Sequence, residues 1–302
     1  MKTLGRSFAC AAAFLLAACD NPAGTGAARP EVLFVRRDGT SASIFAMHPD
    51  GSGEVQLTLG NDDDCPRWSP DGRTISFTRE RVLEPGSTSR TREIHLMRAD
   101  GSGVRRISLD RSGACADWAP DGRRLVYDAP DFQVAAVNVY VMDAGGGNRV
   151  QLTRNSWASN SPRWSPDGRR IVFLSGESGE LKLWIMNADG SGRRAVGESC
   201  AGYSSDPSWS PDGSRLAFVC GSGPEGDVYV IGVDGTGERR LDPSEPGRPG
   251  VDSQPVWSPD GRRILAARIN DLNRNVYSFP ADGGAGVRIT TDASWEAPFD
   301  WR

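Results

Sequence analysis

The chain has only two histidines in 302 residues, His48 and His95, and neither has a second histidine close in sequence. Its six cysteines include no Cys-x-x-Cys, so no donor set has the spacing of a structural or catalytic metal site, and no cofactor is expected. A Gly-x-Ser-x-Gly elbow is also missing, which removes the commonest serine hydrolase signature. No residue is assigned a catalytic role. Sustained helical periodicity is absent throughout, which points to an all-β chain. Basic residues are not in excess, since 35 Lys and Arg against 39 Asp and Glu leave a net charge of −4. That balance, with no basic patch, argues against nucleic-acid binding. The most continuous apolar run, Phe8–Ala18, falls well short of the roughly 20 residues that span a bilayer.

What is present begins with that run. Lys2 and Arg6 precede it, the pattern of an export signal over residues 1–19. It ends Leu16-Ala17-Ala18-Cys19, which resembles the lipobox of bacterial lipoproteins. The resemblance implies lipidation of Cys19 after cleavage. The protein is then expected in the bacterial cell envelope, facing the periplasm or cell surface and touching the membrane only through its lipid. Residues 20–30, rich in Gly, Ala and Pro, read as a flexible tether.

Residues 31–302 are organised by one stretch, Trp-Ser-Pro-Asp-Gly, at Trp68, Trp164, Trp209 and Trp257, and with Ala119 for Ser at Trp118. Including Trp301, the tryptophans are separated by 50, 46, 45, 48 and 44 residues. Self-similarity at about 40–50 residues marks a repeat architecture. Ser, Pro, Asp and Gly at these places build a tight turn between two strands. The Trp is a large apolar side chain for the gap between neighbouring sheets. Each unit continues with two β-rich runs, a Gly-rich turn such as Asp189-Gly190-Ser191-Gly192, and a last short strand. Four short strands per unit is the pattern of a propeller blade. The arginines after the turn, among them Arg123, Arg124, Arg169, Arg170, Arg262 and Arg263, read as a solvated face.

These units resemble the WD-repeat-like blades of the TolB-like propellers. The implied fold is a six-bladed β-propeller of four-stranded antiparallel blades, its ring closed by the C-terminal strand pairing with the N-terminal blade. TolB carries an α/β domain before its propeller, for which only the tether stands here, so TolB's role in the Tol–Pal system does not transfer. The implied function is a non-catalytic module that binds a protein or peptide of the envelope.

Excluding Cys10 and Cys19, four cysteines remain in an exported chain, which favours disulfides. Cys65 and Cys115 each stand three residues before a repeat Trp, and Cys200 and Cys220 flank one hairpin, so the pairs Cys65–Cys115 and Cys200–Cys220 are expected. The hairpin turns are uniform, whereas the connections on the opposite face differ, with 79–92 long and polar and 242–253 Pro-rich. Function tends to sit on such individual loops. Asp64, Asn160, Asp206 and Gln254 lie on the approaches to the Trp turns, and Trp157, Tyr203 and Trp295 stand six or seven residues before a repeat Trp. Aromatics beside carboxylates and amides at a funnel mouth suit a peptide segment. They also suit a sugar, so the alternative is a carbohydrate-binding or carbohydrate-active propeller using Trp157, Tyr203, Trp295, Asp64 and Asp206.

Overall fold

The structure, a computed structural model, describes residues 30–39, 41–82, 90–108, 113–197, 200, 202–221, 226–242, 252–270, 273–291 and 295–302. The signal segment, Cys19 and the tether to residue 29 lie outside them, as do 83–89 and 243–251 of the expected loops. Among the described residues every regular element is a strand.

Strands β1 (Val32–Asp38), β2 (Ser41–Met47) and β3 (Val55–Gln56) come first. Four separate four-stranded sheets follow. The first joins β4 (Asp63–Trp68), β5 (Thr74–Val82), β6 (Arg90–Arg98) and β7 (Arg105–Arg106). The second joins β8 (Ala114–Trp118), β9 (Arg124–Asp131), β10 (Ala136–Asp143) and β11 (Val150–Gln151). The third joins β12 (Ser159–Trp164), β13 (Arg170–Ser175), β14 (Lys182–Asn187) and β15 (Arg194–Ala195). The fourth joins β16 (Tyr203–Trp209), β17 (Arg215–Gly221), β18 (Asp227–Gly232) and β19 (Arg239–Arg240). The remaining β20 (Asp252–Trp257), β21 (Arg263–Asn270), β22 (Asn273–Pro280), β23 (Val287–Arg288) and β24 (Trp295–Trp301) share one eight-stranded sheet with β1–β3. In it β24 pairs antiparallel with β1 from Arg37↔Trp295 to Val32↔Trp301, and a single parallel bridge, Arg274↔Trp295, joins it to β22. The strands that end in the repeat Trp touch in the order β4, β8, β12, β16, β20, β24, and β24 touches β4 again.

The repeat turn owes its geometry to a short hydrogen-bond circuit. Ser165 Oγ donates to Asp167 Oδ1 at 2.5 Å and accepts from Arg170 N at 2.9 Å, while Asp167 Oδ1 also accepts from Arg169 N at 3.0 Å. The same bonds recur at Ser69, Ser210 and Ser258. A glycine closes each turn, Gly168 at φ +68, where a Cβ would be strained. Ala119 is the buried copy without a hydroxyl. Replacing it by Ser restores two hydrogen bonds at a turn position that holds Ser in four other copies. Ala119→Ser is expected to stabilise the fold by about 1 kcal/mol, read as a rise in Tm of roughly 2–4 °C; a fall in Tm would refute this account of the turn.

The fourth strands are only two residues long, shorter than the sequence runs suggest. A hydroxyl prolongs them: Thr58, Ser108, Thr153 and Thr290 each accept from a backbone N–H of the third strand at 2.9–3.1 Å. The stretch 79–92, expected as a loop, is strand at both ends. Cross-strand charge pairs hold it, such as Glu80 opposite Arg92 and the 3.0 Å contact of Arg90 with Glu80.

Each repeat Trp packs on the sheet before it, as Trp209 does on Val172 and Ile185. The expected solvated arginine face needs correction at two of its members. Arg123, Arg169, Arg262 and Arg263 are exposed, but Arg124 and Arg170 lie 5.0 and 5.2 Å over the rings of Trp164 and Trp209. Arg215 covers Trp257 and Arg302 covers Trp68 in the same manner. An arginine at the start of a second strand reaches across the sheet gap because its apolar stem packs there and its guanidinium stacks on the next indole.

Candidate functional site

The five complete first strands each carry a β-bulge three residues before the Trp. There Cys65, Cys115, Ser161, Asp206 and Gln254 adopt φ between +44 and +53, outside the usual region for non-glycine residues. The bulge sets two residues against one partner and re-aims the side chain. All five, with Pro298 of β24, line one cavity of about 420 Å³ surrounded by the first strands. The residue just before each Trp lines it too: Arg67, Asp117, Arg163, Ser208, Val256 and Asp300. Two repeat positions therefore supply two rings of unlike side chains to one space.

The charges in these rings are anchored. Arg67 is buried and donates to the carbonyls of Pro66, at 3.0 Å, and Phe299. Asp117 stands between Arg67 (3.9 Å) and Arg163 (4.0 Å) and accepts from Trp164 N at 2.8 Å. Burial pushes its carboxyl up to about 7 despite those partners. Asp300 accepts from Trp68 N at 2.6 Å, and burial raises both its carboxyl and that of Asp206. Asp128, beneath the bulge at Ser161, accepts from Ser161 N at 3.2 Å and is likewise pushed to about 7 by burial. A disulfide joins Cys65 to Cys115, with Cα atoms 5.1 Å apart, and ties β4 to β8 at the cavity wall. A second joins Cys200 to Cys220, at 5.7 Å, within the β16–β17 unit.

Of the seven residues singled out in the sequence, Asp64, Asp206 and Gln254 line the central cavity. Trp295 lines a smaller one of about 100 Å³ that shares Asp64 and Gln254. Trp157 and Tyr203 are 39% and 52% exposed on the rim, and with half-buried Asn160 they line neither cavity. The Asp62–Asp64 run diverges: Asp63 is buried against Arg79 at 2.6 Å, while Asp64 turns to Arg37 at 2.8 Å.

Residues 128–301 match the family described as the TolB beta propeller domain. The chain belongs to this family. Among solved structures it is similar to TolB from Acinetobacter baumannii, with a TM-score of 0.76 and 18% identity over 90% of this chain. It covers 66% of that protein, just under two thirds of its length. A protein described as TolB from Agrobacterium tumefaciens gives 0.69 and 16% identity, over 89% of this chain and 97% of that one. A chain of a nidogen/laminin complex gives 0.66 and 10% identity, over 89% and 99%. At such identities the likeness is one of fold. No curated protein matches the chain.

Within this TolB-family propeller the sequence reading missed Arg67, Asp117, Arg163 and Asp300. Their signal was present, since the residue directly before each Trp changes from Arg to Asp, Arg, Ser, Val and Asp while the Trp stays constant. Only the bulge shows that this place faces the axis.

Proposed function

We propose that this protein is an envelope lipoprotein, anchored through Cys19 after removal of residues 1–18, whose propeller binds a protein or peptide partner. Its six blades form a ring, with β24 completing the blade of β1–β3, and the partner docks at the mouth that carries Asp64, Asp206, Gln254 and Trp295. The observation that carries the reading is the central cavity. Constant repeat positions build the scaffold, and the two positions that line the cavity vary along the repeats, with Cys, Cys, Ser, Asp, Gln and Pro at one and Arg, Asp, Arg, Ser, Val and Asp at the other. Fixed carboxylates and guanidinium groups with an exposed aromatic at the edge suit an extended polar segment better than a bulk apolar contact. The fold shared with TolB and with a chain of the nidogen/laminin complex supports an interaction role.

The test is affinity capture from native envelopes with wild type, with Asp64→Ala/Asp206→Ala/Trp295→Ala, and with Trp157→Ala alone. A protein held by wild type and by the Trp157 variant, and lost from the triple variant, is the expected result. Equal capture by all three sinks the site. Capture of a glycan in place of a protein favours the carbohydrate reading.

A further inference from the structure

The smaller cavity contains an unsatisfied cation. Arg274 is 9% exposed, and among the described residues its Nε has no hydrogen-bond partner. Among the described residues its one side-chain hydrogen bond is a long one, 3.4 Å from Nη2 to Gln254 Oε1, and its guanidinium lies 4.5 Å over the ring of Trp295. A guanidinium offers five donors in a fixed fork, and a buried one with its Nε–H unpaired is costly unless something supplies an acceptor. The nearby carboxylates do not fill that need. Asp64 is bonded to Arg37 at 2.8 Å and Glu296, on the same cavity wall, to Arg36 at 2.7 Å, while Asp206 attracts Arg274 through space and, among the described residues, makes no ion pair with it. The space in front of Arg274 is about 100 Å³, the volume of roughly three waters. That admits a carboxylate head. Trp295, 43% exposed at the entrance, offers a flat apolar surface to whatever carries the carboxylate.

We propose that Arg274, Gln254 and Trp295 form a subsite for a carboxylate of the partner peptide, an acidic side chain or a chain end. The inference rests on the peptide-binding reading above and names the partner's chemistry at that mouth. The carboxylate takes the idle N–H groups of Arg274 in a forked, charge-assisted bond, Gln254 amide remains beside it, and the neighbouring peptide side chain covers Trp295.

The experiment is a titration of the full chain followed through the Trp295 indole N–H signal by NMR, assigned with Trp295→Phe. The probes are acetyl-Glu-Phe-amide, acetyl-Gln-Phe-amide and galacturonate. Acetyl-Glu-Phe-amide is expected to shift the signal saturably and to bind roughly tenfold or more tightly than the Gln peptide. Arg274→Gln should erase that preference, and Arg274→Lys, which keeps charge without the fork, should leave only part of it. Equal binding of the two peptides, an unchanged preference in Arg274→Gln, or galacturonate binding as tightly as the Glu peptide would each overturn the subsite. Should Arg274→Gln fail to fold, Trp295→Ala followed by calorimetry replaces it. There weaker binding of both peptides with the Glu preference kept is expected, and unweakened binding overturns the proposal. The two readings fail separately. Capture of the same envelope protein by wild type and Arg274→Gln removes the subsite and leaves the module, whereas a Glu preference without any captured protein does the reverse.

Discussion

Deletion of residues 297–302 is expected to lower Tm by roughly 15 °C or more, or to prevent folding altogether. The segment supplies four of the six β1 pairings of β24 and buries Ala297 and Phe299 in the cluster that holds Trp68, Ile75 and Phe77. Asp300 caps the Trp68 N–H, and Arg302 lies 4.1 Å over the Trp68 ring while donating to Gly72 O at 3.1 Å. Removing a buried Phe costs about 3–5 kcal/mol by itself. Loss of Trp301 and of the ladder adds to this, and leaves both β1 and the Trp68 face open to water. Against a total stability of about 5–15 kcal/mol, the sum takes most of what holds the fold. Phe299→Ala, which removes the ring but keeps the strand, should fall between wild type and the deletion. A deletion that shifts thermal unfolding by less than about 5 °C would show that β24 is not a structural member of the ring.

The second large effect is expected at Arg67. Arg67→Met should destabilise by about 3 kcal/mol at pH 8, because it leaves Asp117 and Asp300 buried without their nearest shared cation. At pH 5 the loss should be smaller, and the sign follows from Asp117. Its folded pKa of about 7 lies above its ordinary value of 3.8, so the folded protein holds a proton that the unfolded chain has released. Stability contributed in this way is complete below about 4 and declines as pH rises through about 7. Asp128 acts in the same sense over the same window. The wild type should therefore unfold at higher denaturant at pH 5 than at pH 8, and Asp117→Asn should flatten that slope. The turn aspartates work in the opposite direction and at lower pH: Asp212, held near 2 by Ser210, stabilises above about 3.8 and ceases to do so as pH falls through about 2. A denaturation series in which the Arg67 variant loses the same stability at both pH values would rule out Asp117 as the cause.

The repeat was legible because its cause is local. Trp, Ser, Pro, Asp and Gly at successive positions close their own hydrogen bonds, so five copies read from the chain correspond to five turns in space. The pairing of Cys65 with Cys115 could be anticipated for the same reason, since equivalent positions in adjacent repeats lie side by side, whereas Cys200 and Cys220 flank one hairpin. Strand ends were less legible, because Arg79–Arg81 and Arg90–Arg92 are polar and become strand through charge pairs with each other.

Sequence alone determined the all-β class, the spacing of the units and the residues that turn them. Tertiary structure alone decided which side chains share a space. Cys65, Ser161, Asp206 and Gln254 meet around one cavity because a left-handed bulge turns each of them there, and nothing in a strand's two-residue alternation announces it. Trp157 and Tyr203, with the same apparent credentials as Trp295, stay on the rim, because only Trp295 has Arg274 buried beside it. Periodicity acts along the chain and survives in the sequence, whereas a site is made across a cavity, between residues as far apart in the chain as Cys65 and Pro298.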